Sequence, residues 1–376
     1  MSFFVYPKQI YLKSLAGLSI AILFIILFFG LRPKDFTFSN NVNWIADQPG
    51  IQFSKYGIAY TKDFIESPGN NFSIVIALKP LSYGEDGFNL ILTLDNGKDS
   101  DQLIIGQWRS WIIIMNGDDY AHKRGAKRLT INIASPTPIK RLITVTTGLE
   151  GSRAYMDGHL VHAEKDLVLK IPDGDNTRLL LGNSVYGKHS WKGDIYGLAF
   201  FKRTLTDDDA LRHFNAWSKN QNFSFAKESI PVVLYEFDGE NDLKVFDHSG
   251  GNLHLEIPVR MQILKKDILS WKWSRLTFNK NLIQDMIINF IGFMPFGFFL
   301  FAFFGKLGGV FEKHDLLLTI GIGFMVSLMI EIVQAWMPSR SSQLIDLMLN
   351  TLGTCLGAFI FKFFFGHNRH ASVCKY

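Results

Sequence analysis

Apolar and polar positions divide this chain into ends suited to lipid and a middle suited to water. From Ser14 to Leu31 no charged residue interrupts the apolar run, which is about long enough to cross hydrocarbon as a helix. It exceeds a usual signal-peptide core, and Phe28-Phe29-Gly30-Leu31-Arg32 offers no small-x-small cleavage site, so it reads as an uncleaved anchor. Three more runs, Met286–Phe304, Leu316–Met337 and Leu344–Phe365, crowd the C-terminal part. The pattern predicts four crossings.

Between the first and second runs the period changes. Phe72–Leu78, Asn89–Leu94, Trp111–Met115 and Leu142–Thr146 are short apolar or alternating stretches, separated by Asn96-Gly97, Asn116-Gly117 and Asp157-Gly158. Asp157-Gly158 stands two residues wide between Ala154-Tyr155-Met156 and His159-Leu160-Val161, a strong hairpin signal. Many strands at this spacing predict a β-sandwich over residues 36–257. Within it only Asp207–Trp217 reads as helix, with Thr206 as N-cap before Asp207, Asp208 and Asp209.

Charge then orients the chain. Lys8 and Lys13 precede the first run, Lys306, Lys313 and His314 fill the loop after the second, and Lys362, Arg369 and Lys375 follow the fourth. Placing all three groups in the cytoplasm satisfies the positive-inside rule, puts both termini there and leaves the β-domain extracytoplasmic. Arg32 and Lys34 dissent mildly, as do the basic residues of 260–280. The linker tryptophans Trp271 and Trp273 suit a membrane interface.

Composition adds exclusions. The net charge is +5, yet the basic residues form no stripe and no DNA- or RNA-binding motif is present, so nucleic acid is not expected as a partner. Cys355 and Cys374 are the only cysteines, which leaves no disulfide framework and no Cys-based zinc site. There is no G-x-S-x-G, Walker loop, H-E-x-x-H or dinucleotide fingerprint.

Polar residues within or beside the C-terminal spans carry the strongest functional signal. They are Asp285 and Asn289, Glu331 and Gln334, Asp346 and Asn350, with Arg340 in the turn between the last two spans. Ionisable groups at membrane depth are costly, so they usually face protein or a water cavity and serve a function. Asp285 and Asn289 lie one turn apart, Glu331 and Gln334 share a face, and Asp346, Asn350, Gly353 and Gly357 form one stripe. The topology sets them all in the outer half of the membrane. Three carboxylates beside one arginine cannot all remain ionised cheaply, so Arg340 pairs with Glu331 or Asp346, or an acid stays protonated. The plain alternative is interhelical hydrogen bonding without chemistry.

Asp285-x-x-x-Asn289-x-x-Gly292-Phe293-x-Pro295-x-Gly297, Glu331-x-x-Gln334 with Pro338-x-Arg340, and Asp346-x-x-x-Asn350-x-x-Gly353-x-x-x-Gly357 together resemble the VanZ-like family over about residues 280–365. The family's namesake is associated with low-level resistance to teicoplanin, so the resemblance implies a cell-envelope role. Members often carry a span shortly before the Asp/Asn span, whereas here a β-domain intervenes. The middle resembles a laminin-G/concanavalin-A-like domain. The resemblance rests on Tyr155-x-Asp157-Gly158-His159-Leu160-Val161, Leu180-Leu181-Gly182 and Trp191-x-Gly193-x-Ile195-x-Gly197-Leu198-Ala199-Phe200-Phe201-x-Arg203-x-Leu205-Thr206-Asp207-Asp208-Asp209. Tyr235-x-Phe237-Asp238, followed by Leu243-x-Val245-x-Asp247-x-Ser249-Gly250, looks like the opening strand of such domains but comes last, as a closing strand would in a permuted sandwich.

The expected architecture is a four-span α-helical membrane module with an all-β jelly-roll sandwich. Its parts are a cytoplasmic N-terminus and first helix (1–35), the sandwich (36–257), a linker (258–283), a three-helix VanZ-like domain (284–366) and a cytoplasmic tail (367–376). The partners expected are the lipid bilayer and a cell-wall or surface glycan, with oligomerisation open. Trp108, Trp111 and Tyr186 are the candidates for stacking on sugar, if they are exposed rather than in the core. No cofactor is required; Asp95, Asp99, Asp173 and Asp175 are candidate calcium ligands, though turn acids are commoner. The leading expectation is a non-enzymatic envelope protein. The alternative is an intramembrane enzyme with Glu331 and Asp346 as acid and base and Arg340 on a phosphate. It lacks an obvious nucleophile: Ser327 is one turn below Glu331, and Ser341 and Ser342 sit in the loop.

Overall fold

A computed structural model describes residues 8–32, 38–63, 69–84, 87–172, 177–239, 242–271 and 280–365. They form two compact units, Thr37–Lys265 and the pair of segments Met1–Phe36 and Lys266–Tyr376. In chain order the helices are α1 (Lys8–Leu31), α2 (Asp207–Asn220), α3 (Ser224–Glu228), α4 (Lys280–Leu307), α5 (Gly309–Lys313), α6 (Asp315–Gln334) and α7 (Leu344–Phe365).

The first unit is an antiparallel β-sandwich. One sheet runs Val42–Trp44, Ile51–Phe53, Gly193–Phe201, Phe72–Pro80, Arg141–Gly148, Gly151–Met156 and His159–Glu164, with Val233–Tyr235 also paired to Gly193–Phe201. The other runs Lys244–Val245, Leu255–Glu256, Ala59–Thr61, Arg178–Leu181, Asn89–Asp95, Leu103–Trp108, Trp111–Asn116 and Leu129–Asn132. The closing segment thus serves both sheets. Phe53, Phe72, Ile74, Leu92, Ile105, Ile114, Trp191, Leu198 and Tyr235 are among the side chains that fill the space between them.

The unbroken apolar run Phe72–Leu78 has a direct cause. Phe72, Ile74, Ile76 and Leu78 enter the main core, while Val75 and Ala77 face the opposite side, where Trp217 of α2 and Phe225 and Ala226 of α3 cover them. A strand buried on both faces loses its polar alternation. The expected hairpin is present: Met156 pairs with His159, and Asp157 and Gly158 take φ of 52° and 80°, as a two-residue type I′ turn requires. Thr206 caps α2 in a capping box with Asp209. Five-residue α3 has no counterpart in the sequence reading, because one turn carries no periodic signal.

In the second unit, four helices are long and apolar enough to cross a membrane: Gln9–Leu31, Ile283–Leu307, Asp315–Gln334 and Leu344–Phe365. α4 begins before the expected Met286 and continues through Pro295. Ile26 of α1, Phe293, Phe296, Leu300 and Phe304 of α4, and Ile330 of α6 form one core. Between α4 and α7 the backbones nearly touch. A Cβ added at Gly353, Gly357 or Gly297 would strike the carbonyl oxygens of Phe290, Met294 or Thr354, respectively. These glycines are the small-residue faces that lipid-embedded helices use for close packing.

Candidate functional site

The α6–α7 turn is built around Glu331. This residue is 2% exposed, and its Oε2 accepts the Gln343 N–H at 2.7 Å. The Ser342 hydroxyl also bonds to it. Gln343 opens α7, since its carbonyl accepts from Asp346 N and Leu347 N. The carboxylate therefore lies at the N-terminus of α7, where the helix dipole favours negative charge. Gln334, one turn further, donates from Nε2 to Gly30 O at 2.8 Å and so satisfies a carbonyl at the end of α1.

A second polar contact joins α4 to α7. Asn289 Nδ2 donates to Asp346 Oδ1 at 2.7 Å. Asp346 is half-buried and Asp285 is exposed, yet Asp285 is close enough to act on Asp346 electrostatically. Arg340 acts on both Glu331 and Asp346, and its Nη2 donates to Phe29 O at 3.4 Å. Deeper in the module, Asn350 Nδ2 donates to Ser327 Oγ at 2.9 Å. The seven predicted polar residues thus gather at one end of the bundle. Glu331, Gln334 and Asn350 are buried within it, whereas Asp285, Asn289, Asp346 and Arg340 reach towards its surface.

Two features here escaped the sequence reading. Thr319, Gly323 and Ser327 repeat every four residues along α6, and Gly323 packs against the Thr354 side chain of α7. The result is a buried small-polar seam. Hydropathy cannot see it, because Ser, Thr and Gly are nearly neutral. The segment before α4 is also pinned to the turn: Leu269 N donates to Ser342 Oγ at 2.9 Å and Ser270 N to Ser342 O at 3.0 Å. Ser342 and Ser327 are therefore hydrogen-bonded structural groups here.

In the sandwich, Trp108 and Trp111 pair across neighbouring strands and stand 43% and 37% exposed. The Arg109 guanidinium lies 5.2 Å from the centre of the Trp108 ring. Tyr186 is placed differently: it is half-buried, and its hydroxyl donates to both oxygens of Asp99 at 2.8 and 3.1 Å. Asp95 is buried and its carboxyl is pushed up by that burial. Asp173 and Asp175 lie outside the described residues, as do Trp273, Lys34, Arg369, Cys374 and Lys375. Glu236, Asp238 and His248 also converge, with ligand atoms within 4.8 Å of one another. The Lys227 ammonium sits 2.6 Å from Glu236, and the His248 ring lies 3.6 Å from Glu236 and 3.3 Å from Asp238.

The acids, amides and glycines at their spacings on α4, α6 and α7 now have a counterpart among known proteins. Residues 232–365 match the VanZ/LLP1 family model. The match begins at Val232, in the last part of the sandwich, so the VanZ/LLP1 region extends beyond the helices that carry the polar residues. No curated protein matches the chain. Among solved structures, the botulinum neurotoxin serotype D binding domain shares 15% identity at a TM-score of 0.39, over 49% of this chain and 47% of that one. The serotype D ligand-binding domain in complex with N-acetylneuraminic acid shares 15% identity at a TM-score of 0.37, over 50% and 47%. The chain thus spans about half the length of the solved domains it matches.

Proposed function

We propose that this is a non-enzymatic, multi-pass protein of the cell envelope. In this reading the VanZ/LLP1 helices anchor an extracytoplasmic sandwich that binds glycan through Trp108 and Trp111. The observation that carries it is the cross-strand pair of exposed indoles on a well-packed sheet. Aromatic faces held rigidly in this way offer a flat apolar platform to the C–H face of a sugar at little entropic cost. Asn132, register partner of Trp111 on the next strand, adds an amide to the same row.

Support for binding over catalysis comes from the membrane site. Glu331 already accepts a backbone N–H, and the Ser342 hydroxyl is engaged beside it. The competing reading, a lipid-modifying enzyme using Glu331, Asp346 and Arg340, draws on the half-buried placement of Asp346 and Arg340. An unchanged membrane-lipid profile in cells with and without the protein would reject it.

The binding test uses the full chain in detergent on an array of cell-wall and surface glycans. Trp108→Ala with Trp111→Ala should weaken binding about tenfold or more, near 1.4 kcal/mol. If wild type ignores every glycan, or the double variant binds equally, the reading fails. The teicoplanin link belongs to the same proposal, and its readout is the susceptibility of cells with and without the gene.

A further inference from the structure

Two stretches of chain join the sandwich to the membrane helices, and both are held at the α6–α7 turn. On the N-terminal side, α1 ends in backbone carbonyls that its own helix cannot serve. Gln334 Nε2 donates to Gly30 O at 2.8 Å, and Arg340 Nη2 donates to Phe29 O at 3.4 Å. On the C-terminal side, the Lys266 ammonium lies 2.8 Å from the centre of the Trp336 ring. Ser270 then bridges to Gln343 in parallel register. Its N–H and hydroxyl donate to Ser342 O at 3.0 and 2.9 Å, and its carbonyl accepts from Leu344 N at 3.4 Å. The sandwich holds its own two ends together in the same way. Met261 N donates to Phe38 O at 3.0 Å, Asn40 N donates to Val259 O at 3.2 Å, and Ser39 bridges to Arg260. Lys265 N is still bonded to the sandwich, at Val185 O, while the next residue belongs to the helical unit.

We propose that these contacts close a mechanical loop, in which the α6–α7 turn receives any load or conformational change borne by the sandwich and passes it to Asp346 and Glu331. This inference does not rest on the glycan reading, since it concerns how the sandwich is coupled rather than what it binds. The turn is suited to the task. Arg340 takes the α1 carbonyl and acts on both acids. Ser342 takes the segment 269–270 and bonds to Glu331, whose Oε2 also accepts from the next residue, Gln343. Displacing either stem therefore moves a residue that holds a carboxylate.

Folding of the sandwich shortens this loop. With the chain paired at 38 and 261, roughly 17 residues separate Gly30 from Ser270 in place of roughly 240. The chance of closure falls as about the three-halves power of length, so the folded sandwich favours docking of α1 on the turn by about fiftyfold.

The test uses the full chain in lipid nanodiscs with Cys355→Ser, Cys374→Ser and Ile330→Cys. Ile330 is buried, and its side chain lies 3.3 Å from where a Cβ at Gly30 would stand, so labelling of the thiol at 330 by N-ethylmaleimide reads undocking of α1. Inserting about sixty Gly/Ser residues between Lys265 and Lys266 lengthens the loop and should speed labelling about tenfold. Hydrogen exchange of 335–345 should speed with it. The same insertion between Leu149 and Glu150, a hairpin turn in which Leu149 is 91% exposed, lies outside the loop and should change neither readout. If the first insertion prevents folding, seen as lost protection across α2, Asn40→Ala opens the loop instead. It removes the bonds of Asn40 to Ile58 O and Ile58 N, at 2.9 and 2.8 Å, and should move both readouts in the same direction. Equal labelling in all chains, an equal rise from both insertions, or faster labelling with unchanged exchange at the turn overturns the proposal.

Discussion

Replacing Glu331 separates its role as a hydrogen-bond acceptor from its role as a charge. Glu331→Ala removes the acceptor of the Gln343 N–H, a bond of 2.7 Å, and of the Ser342 hydroxyl. Each buried donor left unpaired costs about 1–3 kcal/mol, so the turn loses on the order of 2–6 kcal/mol. Glu331→Gln keeps a carbonyl oxygen in the same place and exchanges a charged hydrogen bond for a neutral one, at about 1 kcal/mol. The two variants should therefore differ by roughly 3 kcal/mol. Because Gln343 starts α7, the damage in Glu331→Ala should appear first as fraying of that helix.

The assay is unfolding of the purified chain in mixed micelles by SDS titration, followed by circular dichroism, with hydrogen exchange of 335–350 as the local readout. Glu331→Gln should unfold near wild type, with protection of 335–350 retained. Glu331→Ala should unfold earlier and lose that protection. Equal loss in both variants would mean that charge holds the turn, and wild-type stability in Glu331→Ala would refute the capping argument altogether.

Two further outcomes can be checked separately. His213, buried between Phe201 and Phe225, has its imidazole held down to about 4 from 6.5, first by burial. The folded state keeps it neutral while the unfolded chain takes up a proton. Sandwich stability should therefore fall as pH drops from about 6.5 towards 4, by about 3 kcal/mol at ~1.4 kcal/mol per pH unit. Hydrogen exchange across α2 should follow that fall, and a flat profile in wild type, or the same slope in His213→Gln, would reject this cause. In the membrane, Gly353→Leu should force α7 away from Phe290 of α4 and lower disulfide yield between cysteines placed at 289 and 346. An unchanged yield would show that the glycine contact does not set the spacing.

How much was legible in the sequence depended on whether a feature was local. The spans, the Asp157-Gly158 hairpin and the Thr206 cap each rest on neighbouring residues, and the chemistry of a few positions specifies them. The polar residues of the membrane module were visible as breaks in hydropathy, and their shared faces followed from helical spacing. Their partners were not visible. Asn289 and Asp346 are 57 positions apart, and only the close approach of α4 and α7 brings them together. Gln334 bonds to a carbonyl at the end of α1, 304 positions away, and a backbone acceptor leaves no mark in a sequence. The same holds for Lys265, which reaches a loop 166 positions earlier to meet Asp99. Exposure was equally unreadable: Trp108 and Trp191 look alike in the sequence, yet one faces solvent and the other the core.

Burial divides the membrane residues in a way that spacing alone could not. Glu331 and Gln334 satisfy backbone groups at helix ends, and Asn350 ties α7 to α6 through Ser327. Glu331 and Gln334 account for their cost as structure, since each meets a backbone group that lipid would otherwise leave unserved, whereas Asn350 serves Ser327 while its own Oδ1 stays buried without a partner. Asp285, Asp346 and Arg340 differ. They lie exposed or half-buried on α4, the α6–α7 turn and the first turn of α7, with Asp285 and Arg340 both acting on Asp346. Packing does not require two acids there, and repulsion between them works against stability. The ionisable groups a partner could reach are on this edge, and the buried Glu331 is not among them. Asp285→Asn, and Asp346→Asn, which keeps an acceptor for Asn289, should then alter the envelope phenotype with little loss of stability, whereas substitutions at Glu331 and Gln334 should alter both together.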